Sequence, residues 1–342
     1  MTPATWPREE PLDERMLVVD PRADSWRDAR LRDLPRWLRA GDLLVVNDAA
    51  TVPASFFAAT STGAPLELRL ASHLGDERWR AVLLGEGDWH TRTEDRAAPP
   101  PVEAGDELRI GPELTATVEA VDPLRPRLAV VRFSLRDAAL WTALYRHGRP
   151  VQYAYVAREL ELWHVQTPFA SRPWAVEMPS AGRPLAWALV LELRKRGLRV
   201  ASLTHAAGLS STGDPAIDAV LPLPERFDLP GPTVRAVTEA RLAGGRVVAA
   251  GTTVVRALEG CAALHGGELV AGEATTDLRI DGAFRPRVVD GLLTGLHAIG
   301  SSHREMLRAF APEPLLARAW AHAEAAGYVD HEFGDACLVL GG

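Results

Sequence analysis

Arg246-Val247-Val248-Ala249-Ala250-Gly251-Thr252-Thr253-Val254-Val255-Arg256-Ala257-Leu258-Glu259 is the stretch on which the fold turns. The apolar residues that open it read as a buried strand. Gly251 permits a sharp turn, and the spacing then predicts a helix over 253–264. Strand, tight turn and helix in succession are half of a βαβ unit. Working outward, residues 233–242 read as a helix and 198–204 as a strand. Before these, 184–196 is an amphipathic helix with Pro184 near its start and Gly197 past its end. Toward the N-terminus, Met16-Leu17-Val18-Val19 is a short apolar strand closed by Asp20-Pro21. A helical stretch through Leu31, Leu34, Trp37 and Leu38 follows, with Gly41 at a C-cap position, and Leu43-Leu44-Val45-Val46 is a second buried-strand run. This alternation predicts an α/β fold with a mostly parallel sheet covered by helices on both faces.

Between about Thr60 and His147 the texture changes. Short alternating runs, among them Leu66-Glu67-Leu68-Arg69-Leu70 and Leu114-Thr115-Ala116-Thr117-Val118, recur between Gly, Pro and Asp breaks. That is the signature of a small antiparallel sandwich or barrel. The expected organisation is therefore an α/β domain over 1–60 plus 149–342, interrupted by a β-barrel-like module over 61–148. A chain of 342 residues is long enough for about two domains.

Composition narrows the function classes. With 38 basic against 45 acidic residues the net charge is −7, so no global positive field draws in nucleic acid, although a local basic patch stays open. No apolar run approaches the roughly 20 residues of a membrane span, and the N-terminus lacks a signal-peptide layout. The expectation is a cytoplasmic protein without membrane contact. Cys261 and Cys337 form no CxxC, which points to buried spectators and not to zinc or a disulfide framework.

Ligands of open α/β sheets bind beyond the carboxyl ends of the parallel strands. Two segments fall there. At Gly251-Thr252-Thr253 the first free N–H groups of a helix attract an anion or polar ligand. Either Arg256 belongs to that site, or it pairs with Glu259 on the helix surface while a threonine merely caps. The second segment, His205 to Asp214, is small and hydroxyl-rich and suits either a ligand loop or a plain surface loop. Asp290 and His297 are the ingredients of general acid/base work or, equally, hydrogen-bonded core residues. His297 and His303 are six apart, which does not put two ligands on one helical face, so no metal is expected. Gly334-Asp335 reads as a turn into a final strand. Neither a Walker A loop, nor GxGxxG, nor GxSxG occurs.

Taken together, these segments resemble the S-adenosylmethionine:tRNA ribosyltransferase-isomerases of queuosine biosynthesis, over nearly the whole chain and in the same order. Gly41 to Asp48, continuing to Val52-Pro53-Ala54, is similar to that family's GDLLVxN(D/N)TRVxPAR stretch. Gln166-Thr167 resembles YQT, and Pro179-Ser180-Ala181-Gly182 resembles PTAG. Gly251 to Glu259 resembles GTTSVRxLE. Val289-Asp290, Thr294 and His297 fall on VDxLxTNFH, Ala309-Phe310-Ala311 on AFAG, and Gly334-Asp335-Ala336 on YGDAM. The resemblance implies an α/β domain interrupted by a barrel. It also implies transfer of the ribosyl group of S-adenosylmethionine to a 7-aminomethyl-7-deazaguanine base in tRNA, with adenine and methionine leaving and the ribose isomerising to an epoxycyclopentanediol. On that analogy Gly251, Thr252, Thr253, Arg256, Ser180, Gly182, Asn47 and Asp335 hold the S-adenosylmethionine. Asp290, His297 and Glu225 do the chemistry.

Several family positions differ. PTAGLHF continues here as Arg183-Pro184-Leu185, HxMHxE is reduced to Leu221-Pro222-Leu223-Pro224-Glu225, and the TR of NDTR has become Ala49-Ala50. In the segment resembling TLHVGAGTF, His205 is either gap-shifted or one position off, and one step in a strand reverses a side chain's face. The alternative expectation is a paralogue that binds S-adenosylmethionine and acts on a small-molecule acceptor, or a non-catalytic binding module. Arginines 22, 27, 30, 32, 36 and 39, with Arg194-Lys195-Arg196, form either a tRNA-facing patch or solvated faces.

Overall fold

A computed structural model describes residues 1–341. In chain order the principal strands are β1 (Arg15–Asp20), β2 (Ser25–Arg30), β3 (Leu43–Asn47), β4 (Ser55–Ala59), β5 (Pro65–Gly75), β6 (Arg78–Leu84), β7 (Glu107–Arg109), β8 (Thr115–Asp122), β9 (Arg125–Phe133), β10 (Arg199–His205), β11 (Glu225–Leu229), β12 (Val247–Ala250), β13 (Gly272–Thr276), β14 (Gly291–Gly295) and β15 (Ala336–Leu340). The principal helices are α1 (Asp137–His147), α2 (Trp187–Lys195), α3 (Gly231–Leu242), α4 (Thr252–Leu264), α5 (Ser302–Leu307) and α6 (Glu313–Ala325).

Nine strands form one sheet in the order β13-β11-β10-β3-β12-β14-β15-β1-β2. The four strands β10, β3, β12 and β14 run parallel, as does the β15–β1 pair; the β14–β15 pairing between them and the pairings at both edges are antiparallel. The parallel centre matches the helix–strand alternation of the sequence. Period-two alternation splits each central strand between two cores. Leu43, Val45, Val247, Ala249 and Leu292 meet α3, α4 and α6 on one face. Leu44, Val46, Val248, Ala250 and Leu293 meet α2 and the Leu31–Leu38 segment on the other. Each such Leu or Val side chain fully withdrawn from water contributes about 1.5–3 kcal/mol, and these two layers hold the strand ends in place.

Local differences from the sequence reading have simple causes. The helical stretch at Leu31 is a 3-10 turn followed by a single α turn, Leu34–Trp37, with Pro35 inside it. A separate turn, Ser180–Gly182, delays α2 until Trp187, and Gly197 at φ +82° ends it. Six strands, β8-β9-β6-β5-β4-β7, close a barrel. Helix α1 packs Leu140, Ala143 and Leu144 onto its core. The insertion therefore opens with β4 at Ser55, ahead of the expected position 61, because Ser55–Ala59 pairs antiparallel with Pro65–Arg69. Entry and exit meet: Ser55 and Arg149 exchange both backbone hydrogen bonds at 2.9 Å. No described helix is long and apolar enough to cross a membrane.

Candidate active site

A cavity of about 510 Å³ opens at the carboxyl ends of the parallel strands. Small-molecule sites usually fall between roughly 300 and 1,000 Å³. Its rear wall is the corner between β12 and α4. Gly251 sits at φ +102°, ψ 151°, a conformation essentially restricted to glycine, so the chain reverses within one residue. Thr252, Thr253 and Arg256 then share a helix face through i,i+3 and i,i+4 spacing, and all three line the cavity with Gly251.

Arg256 does not pair with Glu259. Its Nη1 donates to Glu225 Oε2 at 2.5 Å, joining α4 to β11, and both side chains are buried. Glu225 Oε1 also accepts from Gly208 N at 2.8 Å. Burial pushes the Glu225 carboxyl up, against the Arg256 guanidinium and the Gly208 N–H that hold it ionised. Glu259 instead accepts from the backbone amides of Arg287, Val288 and Val289, anchoring the approach to β14. Behind this pair His205 is fully buried, its Nε2 3.4 Å from Glu225 Oε2, and burial keeps its imidazole neutral by pushing it well below its ordinary value.

His297 lies just beyond β14. Its Nε2 pairs with Thr294 Oγ1 at 2.9 Å, its carbonyl accepts from Trp320 Nε1, and its ring stacks on His303 with centroids 4.7 Å apart. The six-residue spacing places the two imidazoles together because a turn, and not one helix, separates them. Burial drives both down, His303 to about 4. Both line the cavity as neutral rings.

Of the residues singled out from sequence, Glu225, Gly251, Thr252, Thr253, Arg256, Ser180 and His297 line this one cavity. Asp290 does not. It precedes β14 and clips the opposite end of the sheet, its Oδ2 accepting from Val247 N at 2.8 Å. Five residues of strand, about 16 Å, separate it from the cavity end of β14. Asn47 is a brace, donating to His205 O (3.0 Å) and Thr253 Oγ1 (3.2 Å) and accepting from the amides of Ala49 and His205. Gly182 is buried in its turn beside Thr167, leaving Ser180 and Ala181 at the wall. The Asp335 carboxylate fastens the N-terminal segment through Arg8 and Arg15 N, and also accepts from Val329 N. The expected arginine patch lies largely at the other end of the strands. There Arg39 meets Asp42 and Arg196 meets Glu192, and Arg36 meets Asp33, whereas Arg30 and Arg32 meet Asp13 toward the cavity end of the sheet.

The sequence reading missed a whole wall. Tyr153, Tyr155, Glu177 and Glu332 all line the cavity. Tyr153 donates to Glu177 and Tyr155 to Glu332, and the two phenol rings are parallel at 5.9 Å. The one available signal was the aromatic alternation Tyr153-Ala154-Tyr155, in a linker with no regular element to place it.

Fold and cavity define an α/β protein with an inserted barrel and a nucleoside-sized site at the mouth of its parallel strands. A family model described as queuosine biosynthesis protein matches residues 2–339. The S-adenosylmethionine:tRNA ribosyltransferase-isomerase of Trichlorobacter lovleyi is 32% identical over 98% of this chain and 96% of its own length. That of Acidithiobacillus ferrooxidans is 34% identical over 97% and 93%. The crystal structure of S-adenosylmethionine tRNA ribosyltransferase from Thermotoga maritima, 25% identical, aligns over 99% of this chain and 96% of its own with a TM-score of 0.54. The chain belongs to this family of S-adenosylmethionine:tRNA ribosyltransferase-isomerases, and is a transferase of queuosine biosynthesis.

Proposed function

We propose that the cavity binds S-adenosylmethionine and that the chain moves its ribosyl group onto the 7-aminomethyl-7-deazaguanine base of a tRNA, releasing adenine and methionine. The observation that carries this reading is the convergence of the Gly251–Thr253 corner, the Arg256–Glu225 pair and His297 on one cavity. The corner presents a helix N-terminus and threonine hydroxyls to the polar edge of a nucleoside. Apolar neighbours such as Leu221, Ile280 and Met306 strip water from the sulfonium, which raises the energy of the cation and so its reactivity. His297, kept neutral by its surroundings, can accept a ribose proton. Asp290 is no part of this site. A tRNA-modifying role places the protein with tRNA in the cytoplasm. The relatives are named for tRNA, so the small-molecule acceptor is left without support.

The test is adenine release, followed by chromatography. Release only when S-adenosylmethionine and tRNA bearing the modified base are both present is the expected result. Release without tRNA, or no release and no S-adenosylmethionine binding, overturns the reading.

A further inference from the structure

Breaking the bond between ribose and adenine leaves an electron pair on a purine nitrogen, and protonating that nitrogen makes the base a far better leaving group. The residues matched to the family supply no acid for this step. Glu225 is committed on both oxygens, to Arg256 and to the Gly208 amide that hold it ionised, and His297 and His303 are neutral rings facing each other. The Tyr–Glu wall holds two carboxyls, and their surroundings differ. Glu177 accepts on both oxygens, from Tyr153 OH on Oε1 and from Ser210 N on Oε2. Glu332 accepts from Tyr155 OH on Oε2, and no other side chain bonds to it among the described residues. Glu332 also reaches the narrow recess behind the cavity, which it shares with Ser180, Ala181 and Thr294, and Ala181 in turn lies against the Gly251 corner.

Resting on the function proposed above, we propose that Glu332, gripped by the Tyr155 hydroxyl, is the acid that protonates adenine as it leaves the ribose. The pair of the ribose–adenine carbon–nitrogen bond passes to the adenine nitrogen, the Glu332 proton joins it, and neutral adenine departs. The carboxylate left behind is held by Tyr155 OH. It regains a proton from the acceptor amine, which must lose one on being alkylated. Burial pushes the Glu332 carboxyl up to about 7, so its proton is present and transferable near neutrality. The other titratable groups facing it are Tyr155 and, beyond it, Glu177, His331 whose ring lies 4.3 Å from that of Tyr155, and Glu14 and Arg183 across the recess. Burial also raises Glu14, to about 8.

The test uses the full-length enzyme, S-adenosylmethionine and tRNA carrying the aminomethyl base, with adenine release measured across pH. In the wild type, kcat falls as pH rises through the Glu332 pKa. E332Q loses that limb and about a hundredfold or more of kcat, with KM little changed. The E332Q deficit shrinks with an S-adenosylmethionine analogue bearing 8-azaadenine, which leaves more readily as an anion. Y155F removes a hydrogen bond that favours the carboxylate, so its limb moves to higher pH, and this carries the test if E332Q does not fold. E14Q keeps the limb. Wild-type kcat in E332Q, an equal deficit with both substrates, or an unmoved limb in Y155F overturns the proposal while leaving the function intact. No adenine release by the wild type overturns both.

Discussion

Removing either partner of the Glu225–Arg256 pair tests the rear of the cavity, because the two replacements act differently with pH. At an effective dielectric of about 20, unit charges about 4 Å apart attract by about 4 kcal/mol, and breaking a buried pair costs about 3–5 kcal/mol. E225Q leaves a buried guanidinium that keeps its proton wherever the protein is folded, so its loss of stability is nearly constant with pH. R256M leaves Glu225 with burial unopposed, and its folded pKa rises further above the ordinary value. An acid raised in this way is stabilising only when protonated. The R256M deficit is therefore small at acid pH and grows by up to about 1.4 kcal/mol per unit as pH climbs above the wild-type pKa of Glu225. Urea unfolding at about pH 5 and about pH 8 reads both effects as shifts in midpoint at constant slope. A deficit for R256M that is equal at the two pH values, or a cost for E225Q below about 1 kcal/mol, refutes the assignment of a paired, buried charge.

Four further outcomes follow from the same geometry. G251A forces a side chain into φ +102° and is expected to lose about 1–3 kcal/mol in thermal unfolding and to weaken S-adenosylmethionine binding in calorimetry. G260A places a Cβ 2.4 Å from Thr276 Oγ1 between α4 and β13, and overpacking of this kind lowers stability by about 1–3 kcal/mol in urea titration. D290N lowers the melting temperature through its clip to Val247 but leaves kcat for adenine release per folded molecule unchanged, which a burst-corrected assay checks. Burial depresses His205, His297 and His303, so their contribution to stability is present above about pH 6.5 and is lost as pH falls below it. H303Q is expected to flatten that acid limb in denaturation measured from about pH 7 to about pH 4.

The sheet and its strand ends were legible because Leu43–Val46 and Val247–Ala250 are continuous apolar runs, each leading into a polar turn. A parallel strand buried on both faces has to be written that way. Gly251 was legible for the same reason, since a reversal within one residue requires it. Asp290 was misplaced because the sequence shows that it adjoins a strand but not which end of the strand faces the cavity. In β14 the motif residues Asp290 and Thr294 straddle the strand, so only the latter reaches the mouth. The Tyr–Glu wall was illegible for a different reason. Tyr155 and Glu332 are 177 residues apart, each lies outside the long helices and strands, and no periodicity marks either. Barrel strand β4 was absorbed into the preceding motif because its pairing with β5 leaves no trace in local spacing.

The reciprocal bonding of Ser55 with Arg149 has a topological consequence. Closing a flexible excursion of the 93 residues between them costs on the order of 4 kcal/mol in chain entropy. Once the barrel has formed, its two ends already lie one hydrogen-bonded pair apart. The α/β domain then experiences the inserted module as a bridge of a few residues, and β3 can find β10 and β12 as though little lay between. Lengthening or trimming the distal barrel loops should therefore leave the nucleoside pocket in register, whereas severing the Ser55–Arg149 clasp should loosen it from a distance.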